Sequence, residues 1–94
     1  MGTKQHGYAG SKDDFLKRMA RIEGQVRGIT GMIEGDRYCI DIITQISAIQ
    51  AALDKVALGL LDDHVAHCVM DAAEDDRSAK HAEVMTAVGR LLKR

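Results

Sequence analysis

DRYCIDIITQISAIQAALDKVALGLLDDHVAHCVMD, residues 36–71, is the stretch whose reading decides the fold. It contains no proline and a single glycine, Gly59, so nothing in it forces a break, and it reads as one long helix. Apolar or small residues recur at Cys39, Ile42, Ile46, Ile49, Leu53, Val56 and Leu60, in alternating steps of three and four. That is the heptad spacing of a helix packed along its length on other helices. Side chains able to hold a metal stand near its ends. Cys39 lies in the first turn, and His64 and Cys68 lie in the last, spaced i, i+4 so that both project from one face.

At about 1.5 Å rise per residue, the 25 positions from Cys39 to His64 span about 37 Å. On a continuous helix the two cannot meet within one chain. Two copies packed antiparallel about a two-fold axis, crossing near Ala51, Ala52 and Leu53, would bring Cys39 of one beside His64 and Cys68 of the other, giving two identical sites. Ala48, Ala51 and Ala52 suit a close approach at that crossing, although alanine is also simply the best helix former.

Working outward, residues 1–10 hold Gly2, Gly7, Gly10 and His6 without periodicity and read as a flexible arm, leaving 11–94 as a single helical domain. Ser11-Lys12-Asp13-Asp14 is a variant of the capping box and opens a helix over about 12–34. Its inner stripe is Phe15, Met19, Ile22, Val26, Ile29 and Ile33. Gly35 reads as the C-terminal cap of that helix, and Asp36 as the N-cap of the next, over about 37–71. So short a link makes the pair an antiparallel hairpin. AAEDDRS at 72–78 breaks the apolar pattern, and Val84, Met85, Val88, Leu91 and Leu92 then mark a third helix over about 78–93. The expected class is all-α, with no strand, no repeat and no short helix pair of the helix-turn-helix kind.

Composition narrows the function. A chain of 94 residues with three aromatics, five methionines and no tryptophan builds an aliphatic helical core and has little apolar surface to bury alone, so it is expected to oligomerise. Platforms for stacking single-stranded bases are nearly absent. No apolar run reaches the roughly 18 residues of a membrane span and no hydrophobic signal region opens the chain, so a cytoplasmic protein is expected. In that compartment two cysteines point to metal, redox chemistry or burial rather than a structural disulfide. The net charge of −1 hides a segregation: seven Lys/Arg against five Asp/Glu over residues 1–37, one against eight over 38–76, and five against one over 77–94. Arg18, Arg21 and Gln25 follow one another at helical spacing as a polar ridge that could lie on phosphates or be a solvated face. No nucleophile and base pair with an evident pocket stands out, so an enzyme is not expected.

Two thiolates and one imidazole form a soft donor set. Such a set favours Cu(I), which accepts three ligands, whereas zinc would normally want a fourth. His67 lies about 100° round the helix from Cys68 and is the weaker rival to His64. Each residue also has a plain reading: Cys39 and Cys68 as small buried hydrophobes, His64 as a partly exposed polar residue beside Asp62 and Asp63.

Tyr38-Cys39-Ile40-Asp41, Gln45-Ile46-Ser47-Ala48, His64-Val65-Ala66-His67-Cys68 and Arg18-Met19-Ala20-Arg21-Ile22-Glu23-Gly24-Gln25-Val26-Arg27-Gly28 together resemble the CsoR/RcnR family of bacterial metal-sensing repressors, over about residues 12–93. The set Cys39, His64, Cys68 resembles the copper-sensing branch. The resemblance implies a three-helix protomer, an antiparallel four-helix-bundle dimer, a dimer of dimers, and a trigonal Cu(I) site between subunits. It implies that the metal-free homotetramer binds operator double-stranded DNA and that Cu(I) releases it, derepressing copper-resistance genes. Family DNA-contacting positions fall on Arg18, Arg21 and Lys55. Lys55 stands where an arginine is familiar, which keeps charge and loses the bidentate fork. Positions that would hydrogen-bond the free nitrogen of the ligand His64 fall on Tyr38 and Glu83. Two alternatives follow from the same resemblance: a nickel or cobalt sensor using His6 as an extra ligand, and a thiol or persulfide sensor joining Cys39 to Cys68.

Overall fold

The computed structural model describes residues 9–69 and 76–93. Among them are three α-helices and no strand: α1, Lys12–Glu34; α2, Cys39–His64; and α3, Arg77–Leu92. A 3-10 turn, Ala9–Ser11, leads into α1, and a π-helical turn, Val65–Val69, follows α2. The all-α class expected from the sequence is the class observed. No described helix is long and apolar enough to cross a membrane.

The described residues form two compact units, the first being Asp13–Ala57. It is the expected hairpin of α1 with most of α2. Ile22 of α1 and Ile49 and Val56 of α2 are buried, and Phe15, Met19, Ile29 and Ala52 pack against them. The heptad stripe of α2 is thereby split. One row, Ile42, Ile49 and Val56, turns inward; the other, Cys39, Ile46, Leu53 and Leu60, stays open, with Leu53 41% exposed. The stripe of α1 divides likewise: Val26 and Ile33, expected inside, are exposed at 49% and 59%.

The link between α1 and α2 is a Schellman closure. The Asp36 N–H donates to the Ile33 carbonyl and the Arg37 N–H to the Met32 carbonyl. In that motif the left-handed residue is the one whose N–H makes the inner bond, and here it is Asp36, with φ 54°. Gly35 was the expected cap and Asp36 the expected N-cap of α2; instead Gly35 ends α1 and Asp36 takes the left-handed turn. Aspartate tolerates that region better than most residues because its short side chain bonds locally. The N-cap position of α2 passes to Tyr38, whose carbonyl accepts from the Asp41 and Ile42 N–H groups at 3.0 and 3.3 Å.

The second unit takes in Leu58 onward. Here α3 lies against the π turn. Its inner row is Lys80, Val84, Val88 and Leu91, all half-buried; Met85 and Leu92, expected with them, are exposed at 55% and 80%. Asp76 precedes α3 with helical dihedrals and makes no side-chain cap bond.

Candidate metal centre and nucleic-acid interface

Cys39 is the first residue of α2 and presents an exposed free thiol. Tyr38, just before it, is 66% exposed. His64 is the last α-helical residue of the same helix and is half-buried. At 100° per residue, 25 residues bring His64 back to within about 20° of Cys39 around the axis. Helix arithmetic therefore sets the two on one side of α2, at opposite ends. Among the described residues no three His, Cys, Asp or Glu side chains cluster as metal ligands.

Cys68 falls in the π turn rather than in a continued α-helix. A π turn bonds i to i+5 instead of i to i+4, and single π turns inside helices occur frequently at functional sites. Helix α2 was expected to run on to 71; the α-helical pattern stops at His64, one residue before this turn. VAHCV carries no glycine or proline, so composition gave no sign of the change. The neighbouring Asp63 continues the inward row of α2, and one of its carboxylate oxygens is buried without a hydrogen-bond partner. Glu83 is exposed on α3 and meets Lys80 at 3.8 Å. His6 lies outside the described residues, as does part of the 72–78 break.

The hairpin unit supplies a different feature. An open groove of about 720 Å³ runs between α1 and α2, lined from α1 by Asp14, Lys17, Arg18, Arg21, Ile22 and Gln25, and from α2 by Ala48, Ala51, Ala52 and Lys55. Arg18, Arg21 and Lys55, named from the sequence on separate helices, line this one groove. Lys17, on the same helix face, also lines it and is not among the residues singled out from the sequence. The alanines have a use within the chain: short side chains keep the α2 wall low, so that the groove stays open between cationic rims. Gln25 carries a side-chain oxygen that is buried there without a partner. Asp14 is the groove's one acid, and its carboxylate accepts from the Arg18 Nε at 3.0 Å.

An all-helical chain with thiol and imidazole donors at the two ends of one helix, and a cationic groove in its hairpin, has the features of a small regulatory protein rather than an enzyme. A family model for metal-sensitive transcriptional repressors matches residues 11–90, and the chain belongs to that family. It is 51% identical to the copper-sensing transcriptional repressor RicR of Mycobacterium tuberculosis, over 97% of this chain and 98% of the relative. It is 59% identical to the copper-sensing transcriptional repressor CsoR of Bacillus subtilis, over 74% of this chain and 69% of that one. Among solved structures it is similar to the copper-sensing repressor CsoR with Cu(I) from Geobacillus thermodenitrificans NG80-2, with a TM-score of 0.81, 41% identity, and coverage of 99% of this chain and 95% of that one.

Proposed function

We propose that this protein is a copper(I)-responsive repressor of the cytoplasm: its metal-free form binds operator DNA, and Cu(I) binding lets the DNA go so that copper-resistance genes are expressed. The observation that carries this reading is the likeness, along nearly the whole chain, to a relative named as a copper-sensing repressor. The donor set supports it on separate grounds. Cys39, His64 and Cys68 offer two soft thiolates and one imidazole, the combination that suits Cu(I). With Cys39 and His64 at opposite ends of α2, the set is completed between two antiparallel copies, and the open row Ile46, Leu53 and Leu60 supplies the apolar surface on which those copies pack. We take the assembly to be a dimer of such dimers.

Cu(I), when bound, supplies bonds that tie two subunits through thiolates and an imidazole. The chain's own residues do the rest. Tyr38 of the antiparallel copy and Glu83 orient His64 through its free nitrogen, linking the ligand to the start of the other copy's α2 and to α3. Lys17, Arg18, Arg21 and Lys55 carry four positive charges in one groove against the single Asp14, and that excess attracts the phosphate backbone. Metal and DNA are then coupled by a free energy of about 1–3 kcal/mol or more.

The test is an anaerobic titration of reduced protein with Cu(I) against a strong chelator, followed by fluorescence anisotropy of a labelled operator with and without the metal. One tightly held Cu(I) per chain, lost in Cys39→Ala and Cys68→Ala, with weakened DNA binding on loading, is the expected outcome. No tight Cu(I), or tight Ni(II) dependent on His6, overturns it. His64→Ala is expected to keep copper and release DNA poorly, because two thiolates supply much of the affinity while the imidazole carries the link to α3.

A further inference from the structure

We infer that Asp14 is a built-in counter-ion of the groove, competing with DNA phosphate for Arg18 and holding operator affinity below what the four cations alone would give. The inference rests on the proposed reading of the groove as the DNA-binding surface and deepens it by naming a residue that sets its strength. Three observations lead there. Asp14 is the only acid among the residues lining the groove, beside Lys17, Arg18, Arg21 and Lys55. Its carboxylate is bonded to Arg18 Nε at 3.0 Å, so the charge that would meet a phosphate is already partly neutralised. Both side chains are open to solvent, at 61% for Asp14 and 47% for Arg18, so the pair contributes little to the fold and can be remade with another anion at small cost.

Phosphate and carboxylate both seek the same guanidinium. A phosphate reaching Arg18 either displaces Asp14 or binds beside it against like-charge repulsion, and either way some affinity is lost. A repressor gains from that loss. A ligand shifts an equilibrium only by its differential affinity for the two states, so an operator held too tightly would stay bound after metal loading. An acid in the groove keeps the grip within reach of the switch without touching the metal ligands.

The experiment uses the full chain. Asp14→Asn and Asp14→Glu are compared with the parent by operator anisotropy across a salt series, with Cu(I) uptake and thermal unfolding measured in parallel. Asp14→Asn is expected to bind operator about threefold to tenfold more tightly, with a steeper salt dependence, and to release it less completely when loaded with copper. Asp14→Glu should behave as the parent, and copper uptake should be equal in all three. Weaker operator binding by a normally folded Asp14→Asn overturns the inference, because Asp14 would then be orienting Arg18 for the DNA. Unchanged affinity and salt slope overturn it as well. Arg18→Ala separates the two readings: if it leaves operator affinity and salt dependence untouched, the groove is not the DNA surface and the failure belongs to the proposed function; if it weakens binding while Asp14→Asn does nothing, only the counter-ion role fails.

Discussion

The hairpin unit and the unit that follows it are built from helices of similar amphipathic quality, yet they finish differently. Asp13–Ala57 holds all three buried residues recorded, Ile22, Ile49 and Val56, and closes its own turn with a Schellman pair. From Leu58 onward no described side chain is buried, and Leu58, Leu60, Met85 and Leu92 stand at 36% exposure or more. The hairpin has a core of its own, whereas the described residues of the later unit leave apolar surface open. The candidate ligands are divided along the same line: Cys39 belongs to the first unit, His64 and Cys68 to the second.

The hardest test of that contrast is Ile22→Ala. Ile22 is 5% exposed at the centre of the small cluster, and its truncation should cost about 3 kcal/mol by lost burial and an unfilled cavity. Urea unfolding at fixed protein concentration reads it, the concentration being held because oligomerisation adds to apparent stability. A loss below about 1 kcal/mol would mean that the hairpin takes its stability from its partner rather than from this cluster.

The open row of α2 gives the second test. Leu53→Asp puts a charge in the middle of the row Ile46, Leu53, Leu60, at a position 41% exposed within one chain. If a second copy covers that row, self-association should weaken by about thirtyfold or more, the effect of losing a buried interface anchor, and light scattering should show smaller species that remain helical. Unchanged association would assign the row to solvent and remove the support for an intersubunit site.

How much of this was legible in the sequence follows from the range of the interactions. The helices and the hairpin could be read because apolar period and turn chemistry are local. The division of the α2 stripe was not legible, since Ile49 and Leu53 are equally apolar and only the placement of α1 decides which row is covered. The groove was half legible. Arg18 and Arg21 stand three residues apart on one face of α1, but Lys55 joins them only through hairpin packing, and the sequence marks Asp14 only as a first-turn acid favoured by the helix dipole, not as the partner of Arg18. The site is the least legible part: helix rise alone rules out an intrachain meeting of Cys39 and His64, and the partner that would complete it lies outside one chain.

The smallest expected effect bears on the closed end of the hairpin, where two adjacent residues both suit a turn. Gly35 and Asp36 each tolerate left-handed backbone, so the sequence pattern could not say which one takes it. The structure gives φ 54° to Asp36. Replacing Asp36 with glycine removes the Cβ that makes this region unfavourable for an L-residue, and it should stabilise the fold by about 0.5–1 kcal/mol after the added freedom of the unfolded chain is counted. Gly35→Ala should behave otherwise. Its new Cβ would stand 3.3 Å from the Gly31 carbonyl oxygen, and that crowding offsets the gain alanine usually brings to a helical position, leaving a change within about 0.5 kcal/mol of zero. Chemical denaturation of the two variants therefore separates the turn assignments. Were Gly35 the left-handed residue, Gly35→Ala would cost more than 1 kcal/mol and Asp36→Gly would bring no gain; the Schellman bonds from Asp36 and Arg37 require the opposite order.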